Sequence, residues 1–308
     1  MYLEKLGMKQ QSKISLNLKN GGYKMRIGFI GLGLMGEPMS SNIIKKLENE
    51  VLVFDIDSEK VKKMETLGAI GATSIKEIGE KADVVISMVP KSEHVQSVYQ
   101  QLLEVARANQ IFIDMSTIDP KVSINLAKQI AEKGAVMLDA PVVKSVPAAE
   151  AGVLGIYVGG EQETYNSVKF ILECMGNNII HLGDNGSGLV MKLCHNTLVS
   201  QIQNGVNEMI TLSQRNGIPT EDFIKAISYG GGQNFYLDGK GKAIMDNNFA
   251  TAFSVENMHK DVHLTGNLLD ELGLNLPGVR IVQGIYDEAI NRGYGKEDFC
   301  ATIKVVRD

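Results

Sequence analysis

The chain has 308 residues, 44% hydrophobic and 22% charged, a balance that excludes a disordered or collagen-like polymer and suits one or two folded domains. Its 31 Lys and Arg against 36 Asp and Glu give a formal charge of -5, so it carries no electrostatic footprint for nucleic acid. No stretch approaches the roughly 18 uninterrupted apolar residues of a membrane span, which removes a membrane role from the expectations. Cys174, Cys194 and Cys300 are odd in number, far apart and without Cys-x-x-Cys spacing. They fit neither a disulfide framework nor a zinc knuckle and point to a reducing, cytoplasmic setting.

Residues 1–24 are polar, contain five lysines and end in Asn20-Gly21-Gly22, so they read as a flexible tail. From Arg26 onward, short β-branched runs alternate with stretches of helical spacing: Ile27–Ile30, Val51–Phe54, Val84–Val89, Ile111–Ile113, Ala135–Leu138, Val153–Val158 and Ile179–Leu182. Near-continuous apolar strands separated by helices predict a mainly parallel sheet covered on both faces, a doubly wound Rossmann-type α/β domain over residues 25–185. Beyond Gly186 the strand signal stops, and residues 186–308 read as an all-helical domain for substrate binding and dimerisation. Its first helix, Ser187 to Gln214, is long enough to act as a spine.

Gly31-Leu32-Gly33-Leu34-Met35-Gly36 places Gly-x-Gly-x-x-Gly between the first strand and a helix. Gly31 serves the tight turn, Gly33 the approach of a pyrophosphate, and Gly36 close helix–strand packing, with the anion on the helix N-terminus. Nineteen residues beyond Gly36, Asp55 ends the next strand, where a carboxylate accepts hydrogen bonds from ribose hydroxyls and repels a 2′-phosphate. These features predict NAD as cofactor, with NADP disfavoured. Asp57 is the rival carboxylate, read instead as the N-cap of the helix from Ser58 to Leu67. Two further strand ends, Val89-Pro90 and Asp114-Met115-Ser116-Thr117, lie on the rim where open α/β sheets bind ligands.

On the spine helix, Lys192, His195, Asn196 and Val199 share one face. A lysine there is either a snorkelling side chain on a solvated face or, if desolvated toward a lower pKa, a general acid/base. Asn196 offers both donor and acceptor to a substrate oxygen, and His195 is either a substrate contact or a rim histidine. His259 and His263 stand at i, i+4, but no glutamate follows the first in zincin fashion and no third ligand is evident in the sequence, so no metal is expected.

Four motifs occur in order: Gly28-Phe29-Ile30-Gly31-Leu32-Gly33-Leu34-Met35-Gly36-Glu37-Pro38-Met39; Asp139-Ala140-Pro141-Val142 leading to Val158-Gly159-Gly160; Gly186-x-Gly188-x3-Lys192-x2-His195-Asn196; and Lys260-Asp261-Val262. By these motifs the chain resembles the β-hydroxyacid dehydrogenases, the family of 3-hydroxyisobutyrate dehydrogenase and tartronate semialdehyde reductase, over residues 25–305. The resemblance implies that Lys192 is catalytic, that Asn196 binds substrate and that Lys260 closes over the cofactor. It further implies cofactor contacts at Val89, Pro90, His94 and Thr117, and a homodimer or homotetramer.

Two departures bear on the substrate. Where the family usually has Ser-Gly-Gly after Asp-Ala-Pro-Val, this chain has Val143-Lys144-Ser145. That is similar to the sulfolactaldehyde-reductase branch, which carries an arginine at the position of Lys144, and it makes Lys144 and Ser145 candidates for holding an anionic group. Lys192-x-x-His195-Asn196 is similar to the 6-phosphogluconate dehydrogenases, but their decarboxylating glutamate corresponds to Val199, which cannot deliver a proton. The expected activity is hydride transfer between NAD(H) and a small anionic 3-hydroxy acid or its semialdehyde. A non-catalytic dinucleotide-binding adaptor or sensor is the alternative.

Overall fold

The computed structural model describes residues 25–307, and the expectation of a flexible tail over residues 1–24 lies outside them. The chain divides into two compact units that meet in sequence at Lys192 and Leu193.

The first unit is built on one sheet. Its strands are β1 (Ile27–Ile30), β2 (Val51–Phe54), β3 (Ile70–Gly71), β4 (Val84–Ser87), β5 (Ile111–Asp114), β6 (Val136–Asp139), β7 (Val142–Val143), β8 (Leu154–Gly159) and β9 (Gly176–Gly183). They run in the order β3-β2-β1-β4-β5-β6-β8-β7, with β9 also pairing β8. Six of these strands were legible as apolar runs to within a few residues of each end, and the run at Ile179–Leu182 is the core of β9. The two-residue strands β3 and β7 were not foreseen, because so short a segment has no periodicity to read.

Between the strands run α1 (Gly36–Lys46), α2 (Ser58–Glu65), α3 (Ile75–Lys81), α4 (Ser92–Val105), α5 (Pro120–Glu132), α6 (Val146–Glu150) and α7 (Gln162–Met175). Alternate strand residues feed two separate cores. Phe29, Val53, Ile86 and Ile113 pack with Met39 and Ile43 of α1 and Val168, Ile171 and Leu172 of α7. Ile30, Leu52, Val85 and Phe112 pack on the other face with Ile78 of α3, Tyr99 and Leu102 of α4 and Ile130 of α5. Burial on both faces is why these strands read as continuous apolar runs.

Strand register brings together residues far apart in the chain. Ile30 is opposite both Phe54 and Ser87, Ser87 is opposite Asp114, and Asp114 is opposite Asp139. These five positions form a row along the carboxyl edge. The chain moves outward from β1 to β2 and β3, then returns to β4 on the other side of β1, a topological switch point. The pairings Asp139 with Gly159, Val142 with Ile156 and Val143 with Gly155 keep a single antiparallel register. β7 therefore prolongs β6, and Val143 lies about 13 Å beyond the edge row at ~3.3 Å per residue.

The second unit is helical. It holds most of α8 (Ser187–Arg215), then α9 (Thr220–Ile227), α10 (Phe235–Met245), α11 (Val255–Leu272), α12 (Pro277–Asn291), a 3-10 turn (Phe299–Thr302) and α13 (Ile303–Arg307). Val206, Ile210, Leu237, Ile244, Met258, Val262, Val282 and Tyr286 are among its core. α11 starts on a Ser254 cap whose side chain accepts from the Asn257 amide, and it ends on Gly273 at φ 64°, a left-handed terminator suited to glycine.

Candidate active site

The glycine-rich turn sits at the switch point. Gly31 has φ +94°, and a Cβ there would stand 2.3 Å from the Met88 carbonyl oxygen. At Gly36 a Cβ would meet the Gly31 carbonyl oxygen at 1.9 Å, so the turn closes only with glycine at both positions. Gly33 differs: a Cβ there has nothing of the protein within 4 Å, which leaves the turn open to a ligand on that side. The residue preceding α1, Met35, gives the helix no side-chain cap, while Leu32 is buried and Leu34 is exposed. Amides at the start of an uncapped helix are suited to a pyrophosphate, so this turn fits the dinucleotide.

Asp55 lies against the same turn. Its Oδ2 accepts from the Leu32 amide at 2.6 Å, and its Oδ1 accepts from the Asp57 amide at 2.9 Å. Asp57 caps α2 through the Glu59 amide at 3.0 Å, as its position predicted. From β4, Val89 reaches the turn, since its Cγ1 would be 3.0 Å from a Cβ on Gly31. Thr117 follows β5 in a half-buried position, Pro90 is exposed, and His94 is exposed in the first turn of α4.

The β4 and β5 ends are fastened by a carboxylate that was not singled out as a site residue. Asp114 Oδ1 accepts from Ser87 Oγ at 2.8 Å and from Ser116 Oγ at 2.7 Å, and Ser116 Oγ accepts from the Val89 amide at 2.9 Å. Burial pushes the Asp114 carboxyl up to about 6, against the hydrogen bonds from Ser116 and Ser87. An acid raised in the folded state contributes stability that is complete below its unfolded pKa and lost as pH rises through its folded value. Relative to Asp114→Asn, the wild type should lose up to about 3 kcal/mol between pH ~4 and ~6, with no further change above. Urea denaturation across that range checks this, and a pH-independent difference would contradict it.

A second strand-end carboxylate positions the spine helix. Asp139 Oδ1 accepts from the Gly186 amide at 2.7 Å, and its Oδ2 accepts from the Leu189 amide at 3.0 Å. A Cβ at Gly188 would fall 2.4 Å from the Tyr157 carbonyl oxygen, so the first turn of α8 sits tight against β8. That anchorage explains why the chain up to Lys192 belongs with the first unit although the helix continues into the second. Lys192 is itself buried, at 7% exposure, and does not lie on a solvated face.

One turn on, Asn196 is 5% exposed, and His195 between them is half-buried. Asn196 Nδ2 donates to Asp261 Oδ2 at 2.6 Å, while Lys260 Nζ stands 3.0 Å from Asp261 Oδ1. A carboxylate only accepts, so this contact fixes the Asn196 amide nitrogen on Asp261 and leaves its second amide hydrogen and its Oδ1 for other partners. Lys144 is exposed at φ +83°, a region that side-chain-bearing residues enter only under strain. Its ammonium donates to the Val153 carbonyl, and the neighbouring Ser145 is exposed ahead of α6 without capping it.

With this geometry in place, comparison with known proteins is decisive. The family model described as the NAD binding domain of 6-phosphogluconate dehydrogenase matches residues 26–183. The model described as NAD-binding of NADP-dependent 3-hydroxyisobutyrate dehydrogenase matches residues 186–306. The mitochondrial 3-hydroxyisobutyrate dehydrogenase of Mus musculus is 32% identical, covering 92% of this chain and 88% of its own. The chain belongs to the β-hydroxyacid dehydrogenase family.

The 3-hydroxyisobutyrate dehydrogenase of Pseudomonas aeruginosa is 37% identical over 77% of this chain and 83% of its own. Among solved structures, Mycobacterium tuberculosis 3-hydroxyisobutyrate dehydrogenase with L-serine superposes with a TM-score of 0.87 at 29% identity, covering 93% of this chain and all of that one. This β-hydroxyacid dehydrogenase is thus an oxidoreductase that binds a nicotinamide dinucleotide. No helix among its described residues is long and apolar enough to cross a membrane.

Asp139 and Asp261 stood in motifs recognised from the sequence, yet neither was assigned a role. The signal was there: an aspartate at a strand's carboxyl end, and an acid beside a lysine. Their partners, however, lie 47 to 65 residues away in the chain.

Proposed function

We propose that this dehydrogenase interconverts a short anionic 3-hydroxy acid and its semialdehyde with NAD(H), and that Lys192 carries the proton. When bound, the nicotinamide supplies or accepts the hydride. Lys192 takes the hydroxyl proton as the alcohol is oxidised and returns it when the carbonyl is reduced. Asn196, one of its amide hydrogens held by Asp261, donates the other to the substrate oxygen, and His195 lines the same turn of helix. Lys144 and Ser145 hold the acid group, with the Lys144 ammonium exchanging the Val153 carbonyl for the substrate anion. The observation that carries this reading is a buried lysine at 7% exposure, one turn from an asparagine fixed by a buried carboxylate.

Cofactor contacts are assigned to Gly31, Leu32, Gly33, Leu34, Met35 and Gly36, to Asp55, and to Val89, Pro90, His94, Thr117 and Lys260. NAD is preferred over NADP because the Asp55 carboxylate beside the glycine turn repels a 2′-phosphate. Asp55→Asn retains an acceptor but loses the charge, and it should shift the ratio of NAD to NADP affinity toward NADP by about tenfold or more, equivalent to ~1.4 kcal/mol. An unchanged ratio would refute the ribose role. The resemblance implies a homodimer or homotetramer, and the free thiols of Cys174, Cys194 and Cys300 support a reducing cytoplasmic setting.

Val199 offers no acid for decarboxylation, so the reaction ends with hydride and proton transfer. A panel of 3-sulfolactaldehyde, succinic semialdehyde, tartronate semialdehyde and methylmalonate semialdehyde, scored by NADH oxidation, tests the assignment. Turnover of at least one is expected, whereas inertness toward all four with tight NADH binding would favour an adaptor.

A further inference from the structure

The two histidines at i, i+4 acquire in the fold a neighbour that chain spacing did not reveal. His259 and His263 lie on α11, and Asp287 reaches them from α12. Both Nε2 atoms stand 2.8 Å from the same Asp287 Oδ1, the imidazole centroids are 4.3 Å apart, and the three donor groups lie within 4.8 Å of one another. We propose that His259, His263 and Asp287 form a binding site for one divalent first-row transition-metal ion, which clasps α11 to α12.

The donor chemistry selects the class of ion. Two imidazoles and one carboxylate suit zinc, cobalt or nickel, whereas magnesium and calcium demand oxygen ligands. Two histidines one helical turn apart already present a two-point grip, as in helices that hold zinc, and Asp287 supplies the third point from a separate helix. With metal–ligand bonds of about 2.0–2.1 Å, donors in a tetrahedral site are about 3.3 Å apart. The two 2.8 Å separations therefore need to open by only about half an ångström, within the range of small side-chain rotations.

Charge and access also favour the ion. Two neutral imidazoles and one carboxylate carry a single negative charge against a divalent cation. The three side chains are 30%, 39% and 49% exposed, which leaves outer coordination positions to water and a path for entry. Nearby Asp270 and Arg280 form their own ion pair across the same two helices. The site is separate from the hydride-transfer chemistry and does not depend on it, although α11 also carries Asp261.

Calorimetric titration of the chelator-stripped full chain with zinc tests the proposal. One zinc per chain should bind saturably and raise the melting temperature. His263→Gln and Asp287→Asn should each weaken binding at least about tenfold, as the loss of metal-site groups does, while Cys194→Ser leaves it unchanged. Cobalt on the unaltered protein gives a second readout, with visible bands of nitrogen and oxygen ligation and no thiolate charge-transfer band. The proposal is overturned by the absence of saturable uptake, by uptake undiminished in both variants, by loss of uptake in Cys194→Ser, or by equal binding of magnesium. Any of these would leave the cluster as a hydrogen-bonded clamp only.

Discussion

Lys192→Ala should lower turnover by at least about 100-fold with little change in dinucleotide affinity, because positioned proton transfer contributes about 10²–10⁴ to rate while cofactor binding rests on other residues. The effect belongs in kcat rather than KM, since the proton moves only in the transition state. A buried lysine makes the prediction sharp. An ammonium at 7% exposure is costly to desolvate unless it is partnered, and replacing it by alanine removes the proposed proton relay, leaving the His195 imidazole one turn along the helix. His195 and Asn196 follow it on α8, and Asn196 is committed to Asp261. Steady-state kinetics alongside NADH fluorescence titration separate the two quantities. Full turnover in the variant would return Lys192 to a packing role.

The second large effect is expected at Asp139. Asn at this position preserves size but leaves one acceptor where two amides, of Gly186 and Leu189, need one each. Its NH2 group would face an N–H, so one helix-end amide is left buried and unsatisfied beside a repelling donor. Loss of a charge-assisted hydrogen bond in a buried setting costs about 2–4 kcal/mol. Burial raises the Asp139 carboxyl above its ordinary range, and the Gly186 and Leu189 amides oppose that shift. Denaturant unfolding should therefore show a clear loss of stability in Asp139→Asn. Turnover at a temperature where the variant is folded should fall as well, because the first turn of α8 sets the position of Lys192. A stable variant with normal turnover would show that the helix needs no such anchor.

What could be read from the sequence was local. The glycine turn, Asp55 at the end of β2 and the Asp57 cap each depend on residues within about 25 positions, and they stand where spacing put them. Most of the strands were visible because both faces are buried, which makes nearly every position apolar. The contacts made by the buried carboxylates were not visible. Asp114, Asp139 and Asp261 owe their roles to partners brought beside them by strand register and helix packing. β7 escaped notice because Pro141 interrupts the run, although its register shows it to be the continuation of β6. The same limit hid Asp287, which follows His259 by 28 residues and His263 by 24 but shares a carboxylate oxygen with both.

A crystal structure of the enzyme with NADH and a 3-hydroxy acid that it turns over locates the proton relay directly. Lys192 Nζ should lie about 3 Å from the substrate hydroxyl oxygen, within hydrogen-bond reach, with the hydroxyl-bearing carbon facing the nicotinamide. A hydroxyl oxygen held by another titratable side chain, with Lys192 Nζ well outside that distance, would contradict the assignment.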